Sequence, residues 1–237
     1  MSRPLVGIDS CPDGWLCVVE DGAGELRAFV RPDFAAVVAN LPQDALLAID
    51  IPIGLSESGP RACDREARAL LGRPRASSVF SAPVRGVLGL PSYEEASEAH
   101  RRIDGRGMSR QAYGITRKIG EVDAVLRSGP PSLRERVVEV HPEVSFCLWN
   151  EGRPMRHAKK RRAGADERRA LVESVWPGAT ERLTSQLDEA DRRYEADDLL
   201  DAIVALWTAR RVQADTARTL PEDPPADRYD LPMRIVG

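Results

Sequence analysis

No stretch of this sequence approaches the roughly 18 consecutive apolar residues of a membrane span. Its opening, MSRPLVGIDS, has neither the apolar core nor the cleavage site of a signal peptide. A soluble chain in the cytoplasm, with no membrane partner, is therefore expected. Cysteine is sparse: Cys11, Cys17, Cys63 and Cys147 form no C-x-x-C pair and have no histidine at zinc-ligand spacing, so they read as reduced thiols. There is no internal repeat. Neither G-x-x-x-x-G-K-[ST] nor G-x-G-x-x-G occurs, which argues against the familiar phosphate loops, and no G-x-S-x-G elbow supports a serine hydrolase. A strong basic excess is also missing, since 34 Lys and Arg face 37 Asp and Glu for a net charge of −3. Nucleic-acid binding driven by overall charge is thereby excluded.

What is present begins with 42% apolar residues in 237, enough for a sizeable core in one large domain. PLVGIDS, WLCVVED and ELRAFVR read as three short strands, the last with Leu26, Ala28 and Val30 alternating against polar neighbours. The Asp-Gly turns in CPDGW and DGAG join them into an antiparallel meander. A helix follows in RPDFAAVVANL, with Asp33 as its cap and Phe34, Val37, Val38 and Leu41 on one face. The run ALLAIDIPIGL suits a strand buried on both faces, and the right-handed crossover rule places it parallel to and beside the first. Residues 60–130 read as a helical insertion, ERVVEVHPEVSF returns to a strand, and ADERRALVESVW and ATERLTSQLDEADRRYEADDLLDAIVALWTARRVQA continue as helices. The expected class is α/β: a mixed sheet of three antiparallel strands followed by parallel ones, with flanking helices, in a single domain over 1–218. The Pro- and Asp-rich residues 219–237 read as an irregular tail.

Two apolar runs end in one aspartate followed by turn residues: Asp9 in LVGIDSCPDGW and Asp50 in LLAIDIPIGL. Carboxyl ends of parallel strands are where open α/β sheets place ligands. EADDLLDAIVAL adds Asp197, Asp198 and Asp201 at a helix start. One acid serves as a cap or dipole partner, a role assigned to Asp197; the i,i+3 pair Asp198 and Asp201 then needs another reason. Neighbouring parallel strands lie about 4.8 Å apart, so these acids can converge, and clustered carboxylates repel unless a cation intervenes. Mg2+ or Mn2+ held by Asp9, Asp50, Asp198 and Asp201 is the expected cofactor. Glu139, inside an apolar strand, is expected as a further ligand or base. Two such ions can hold attacking and leaving oxygens in phosphodiester cleavage.

The basic run RPMRHAKKRR, residues 153–162, suits an anionic substrate, and Lys159 and Lys160 within it and Arg168 beyond it are candidate phosphate contacts. Arg75, Ser77, Ser78, Gln111, Lys118 and Glu121 are further candidate substrate contacts. Lys118 and Glu121, at i,i+3, equally suit a surface pair. His141 is open to two readings, an acid or base near neutral pH or a hydrogen-bonded structural residue. The bland alternative for the basic run is a solvated loop.

The stretches GIDSCPDGW, AIDIPIGL, CDREAR, SSVFSAP, GMSRQAYGITRKIGEVD, EVHPEVSF, KKRRAG and DDLLDA together resemble domain-of-unknown-function family 429, a set of predicted nucleases. Asp9, Asp50 and the Asp198/Asp201 pair resemble, in order, the carboxylates of the resolvase-type branch of the RNase H-like superfamily. That resemblance implies an RNase H-like fold and a metal-dependent nuclease or related phosphoesterase acting on nucleic acid or another phosphoester, with water as the nucleophile. Position 50 departs from the many resolvase-type enzymes that carry Glu there. The competing expectation is a non-catalytic module that binds nucleic acid or protein.

Overall fold

In the computed structural model the described residues are 3–190 and 193–237. Strands β1 (Leu5–Cys11), β2 (Gly14–Glu20) and β3 (Leu26–Arg31) pair antiparallel, with Leu5 opposite Glu20 and Trp15 opposite Arg31. Gly14 makes the first turn possible: its φ is +136°, and a β-carbon there would overlap the Arg31 carbonyl. Helix α1 (Phe34–Ala39) is capped as expected, Asp33 accepting the Ala36 N–H at 2.7 Å. The chain then enters β4 (Leu46–Ile49), parallel to and beside β1 with Ile8 opposite Ile49.

β5 (Val137–Glu139) pairs parallel with β4, so the sheet order is β3-β2-β1-β4-β5. Period-two alternation divides the core between two faces. Val6, Ile8, Trp15, Leu47 and Ile49 meet Phe34 and Val37 of α1 and Ile119, Val122 and Leu126 of α5 (Thr116–Ser128). Leu16, Val18, Leu46 and Ala48 meet α10 (Ala196–Gln213) and its neighbours α8 (Arg162–Val175) and α9 (Ala179–Glu189). Each fully buried large aliphatic contributes on the order of 1.5–3 kcal/mol, so both faces are strongly held. The chain is thus α/β with a mixed sheet and flanking helices. Among the described residues no helix is long and apolar enough to cross a membrane.

The position of α10 follows from one residue. A β-carbon on Gly7 would overlap the Ala202 carbonyl oxygen and the Leu206 amide nitrogen, so helix and strand backbones touch at the centre of the sheet. This contact seats the Asp-rich start of α10 over the carboxyl end of β1.

Residues 62–128 comprise α2 (Ala62–Leu71), short 3-10 turns at 75–78 and 85–87, α3 (Tyr93–Asp104), α4 (Arg110–Gly114) and α5, followed by α6 (Pro131–Glu135). The segment is helical, and α4 and α5 are separated by a break at Ile115. The C-terminal helical stretch also divides, into α9 and α10. The tail needs a larger correction. β6 (Thr219–Leu220) and β7 (Ile235–Val236) pair with each other, and Val236 bridges in parallel to Val140 beside β5. Leu220, Leu231, Ile235 and Val236 are buried, and Asp227 accepts the N–H groups of Leu55, Tyr229 and Leu231. These apolar residues have no regular period, so their joint burial was invisible along the chain.

Candidate metal centre

The parallel pairing of Ile8 with Ile49 brings the next residue of each strand, Asp9 and Asp50, to the same edge of the sheet. The ladder continues one step further, the Asp50 N–H donating to the Ile8 carbonyl at 2.9 Å. α10, fixed by its contact at Gly7, supplies Asp201. One carboxylate oxygen from each of Asp9, Asp50 and Asp201 lies within 4.8 Å of the others. The spacing of these residues in sequence, 9, 50 and 201, hides a group that two strand ends and one helix turn assemble.

Burial followed by mutual repulsion makes these carboxylates reluctant to ionise. Burial, then the Asp50 and Asp201 charges, raise Asp9 well above the ordinary carboxylate range. Burial and Asp201 push Asp50 up to about 8. Burial likewise raises Asp201, against the pull of Lys159. Lys159 Nζ donates to Asp201 Oδ2 at 2.6 Å and lies 3.2 Å from Asp197 Oδ2. The other oxygen, Asp201 Oδ1, is buried with no hydrogen-bond partner. Such an orphan is costly unless a ligand meets it.

These groups fit a hard divalent cation. The donors are all carboxylate oxygens, a cation would offset the burial and mutual repulsion that keep them from ionising, and an unmet lone pair is present. Two ligands on opposite sides of an ion at about 2.1 Å each are about 4.2 Å apart, so the 4.8 Å limit closes by small side-chain rotations.

Several expected site residues have other work. Asp198 lies outside the converging group: it accepts the Glu195 N–H at 2.8 Å and closes a capping box with the Glu195 side chain. Burial raises Asp198 to about 6. Asp197, expected as cap or dipole partner, lies in the first turn and approaches Lys159, while the capping role falls to Glu195 and Asp198. Glu139 lines the cavity at the acid cluster but lies outside the converging three, and both its oxygens already have partners. Arg61 donates to its Oε1 at 2.6 Å and its Oε2 at 2.7 Å, and Ile53 N–H donates to Oε2 at 2.6 Å. Arg61 also pairs with Asp64 at 2.7 Å, so three buried charged groups compensate one another.

Arg168, expected on phosphate, is 1% exposed and bonds Glu143 and the carbonyls of His157 and Gly164. Lys118 donates to the Gly14 carbonyl at 2.7 Å and its ammonium lies 4.4 Å from the Trp15 ring centroid. Glu121 accepts Trp15 Nε1–H at 2.6 Å and the Phe34 N–H, which ties α5 to β2 and α1. Ser77 bonds its own turn through the Pro74 carbonyl. Motif position, which singles out Ser77, Lys118 and Glu121, carries no information about which way a side chain turns, and neither does the basic character that singles out Arg168.

Arg75, Ser78, Gln111, His141, Lys159 and Lys160 line a cavity of about 320 Å³ together with Asp50 and Asp201. Burial lowers the His141 imidazole below its ordinary value, and its Nδ1 is without a partner. Arg61, Asp64 and Glu143 also line this cavity and carried no weight in the sequence reading. The i,i+3 spacing of Arg61 and Asp64 was the available signal, since Arg at that spacing pairs with a carboxylate.

No curated protein and no solved structure is matched by this chain. Residues 7–226 match the family model described as "Protein of unknown function (DUF429)", and the chain belongs to that family.

Proposed function

We propose that this chain is a metal-dependent phosphodiester hydrolase, a nuclease or related phosphoesterase, with an RNase H-like fold. The observation that carries the reading is the convergence of Asp9, Asp50 and Asp201, with Asp201 Oδ1 unpartnered, beside the cations of Lys159, Lys160 and Arg75. The sheet order, with acids after the first and fourth strands and on the late helix, supports the fold assignment.

Asp9, Asp50 and Asp201 are the residues that would hold Mg2+ or Mn2+. When bound, such an ion polarises a phosphoryl oxygen and activates water. Lys159 neutralises the outer oxygen of Asp201 and keeps an ammonium at the cavity wall. Arg75 and Lys160 attract and orient the phosphate, a positioning contribution rather than a bond-breaking one. His141, with burial opposing its protonation, offers a neutral imidazole to a proton in the cavity.

The test is a Mn2+-supplemented assay on single-stranded, duplex, hybrid and branched nucleic acids and a chromogenic phosphodiester, with Asp9→Asn and Asp201→Asn as controls. Cleavage that falls at least 100-fold in both variants, with melting transitions retained, supports the reading. Hydrolysis of none of these substrates by the unaltered protein removes it. The ion pair of Lys159 with Asp201 favours a second reading, a non-catalytic binding module whose acids are balanced internally. Under that reading Mn2+ leaves the melting temperature unchanged.

A further inference from the structure

Buried polar atoms normally have partners, so a place where several lack them is a candidate place for a polar ligand or ordered water. Nine buried side-chain atoms among the described residues are unpartnered. Four of them, Arg75 Nε, His141 Nδ1, Glu143 Oε2 and Asp201 Oδ1, belong to residues lining the single 320 Å³ cavity at the acid cluster. The unmet demand is therefore concentrated there. Asp201 and Glu143 are 1% and 6% exposed, so bulk water does not easily meet it.

The chemistry of the four atoms describes an occupant. Arg75 Nε asks for an acceptor oxygen, and Lys160 adds positive charge, a combination that suits phosphate. Glu143 Oε2 asks for a donor such as a sugar hydroxyl or a base N–H. Between these groups the wall is apolar, with Val79, Phe80, Ile115 and Pro142, which suits the flat face of a base. Phosphate, hydroxyl or N–H donors and a flat ring are together the parts of a nucleotide.

Size and cover set the second part. Arg75, Ser78, Val79 and Phe80 come from the turn after α2, and Gln111 and Ile115 from α4 and the break before α5, so that segment walls in the carboxyl ends of β1 and β4. A volume of about 320 Å³ is at the small end of small-molecule sites, roughly 300–1,000 Å³. A duplex bound along its length spreads over roughly 1,000 Å² or more of protein surface. We infer that this cavity admits a single nucleotide unit, so that hydrolysis at the acid cluster is confined to chain ends and small nucleotide diesters.

This inference rests on the phosphodiesterase reading above, and two measurements keep their failures apart. The first compares a linear single-stranded oligonucleotide with its covalently closed circle under Mn2+. Release of mononucleotides from the linear strand, with the circle cut at least 100-fold more slowly, is the expected result. Cutting of the circle within threefold of the linear strand overturns end restriction while leaving the hydrolase reading standing.

The second titrates 5′-AMP and 5′-dAMP into the full chain by calorimetry, with and without Mn2+. One site per chain, weakened at least tenfold in Arg75→Ala, is expected. Arg75 is only partly buried, and a melting curve checks that the variant is folded. Absence of nucleotide binding in both conditions overturns the single-nucleotide cavity, whatever the hydrolysis assay gives. If no substrate is hydrolysed and nucleotide still binds, the hydrolase reading falls and the cavity assignment survives as a binding site.

Discussion

Asp201 divides its two oxygens, Oδ2 accepting a hydrogen bond from Lys159 at 2.6 Å while Oδ1 stays buried and unpartnered. Lys159 is thus the internal counter-charge of a cluster that has room for one more cation. Lys159→Ala is expected to destabilise the metal-free protein by roughly 1–3 kcal/mol. A fully buried pair would lose about 3–5 kcal/mol, but the Lys159 side chain is 37% exposed and solvent screens part of the interaction. Calorimetry in EDTA should show a melting temperature several degrees lower, and saturating Mn2+ should recover more stability in the variant than in the parent. Equal melting in EDTA would contradict the counter-charge role.

The acid cluster sets a pH dependence whose sign is fixed by the direction of the shifts. Asp9, Asp50 and Asp201 all have folded values above the ordinary carboxylate value, Asp50 near 8. The folded state therefore holds more protons than the unfolded state between about pH 4 and 8. The contribution of Asp50 to stability is fully present below about pH 4 and is lost as pH rises through about 8, and Asp9 and Asp201 act in the same direction. Urea unfolding of metal-free protein across pH 5–8.5 should show the cluster's contribution as the part of the decline removed in Asp50→Asn. Mn2+ competes with the protons, so its apparent affinity should rise over the same interval.

The buried Arg61–Glu139 pair predicts a structural rather than a chemical phenotype. Glu139→Ala leaves a guanidinium that is 3% exposed with Asp64 as its one remaining carboxylate beside the Ile53 and Gly54 carbonyls, at an expected cost of about 3–5 kcal/mol. Mn2+ binding in the remaining folded protein should change less than threefold. A loss of metal binding without loss of stability would return Glu139 to the ligand set.

Gly7 predicts that a single methyl group separates the acids. Gly7→Ala forces α10 away from β1, because both overlapped atoms are backbone and no side chain can yield. Destabilisation of at least about 2–3 kcal/mol, in the range of overpacked cores, should accompany weakened Mn2+ binding. Gly120→Ala in α5, where a β-carbon meets nothing within 4 Å, is the matched control and should be neutral or slightly stabilising.

Much of the sheet was legible from local chemistry. Period-two alternation, the Asp-Gly turns and the Asp33 cap act within a few residues of one another, and the meander, α1 and the parallel return of β4 follow from them. The helix breaks before α5 and α10 were less legible, since helical periodicity continues across them. Asp9, Asp50 and Asp201 stood out as acids at the ends of apolar runs. Asp198 stood out equally and serves as a cap half, because one residue's rotation around a helix changes a side chain's surroundings completely.

By itself the sequence determined the order of elements, the two-faced core and the supply of carboxylates at strand ends, all consequences of spacing along the chain. Only the tertiary structure decided which acids meet. Gly7 brings α10 against β1, Lys159 folds back onto Asp201, and Arg61 occupies Glu139. These pairings join residues 42, 78 and 195 or more positions apart, where charge and distance in space, not spacing in sequence, select the partner.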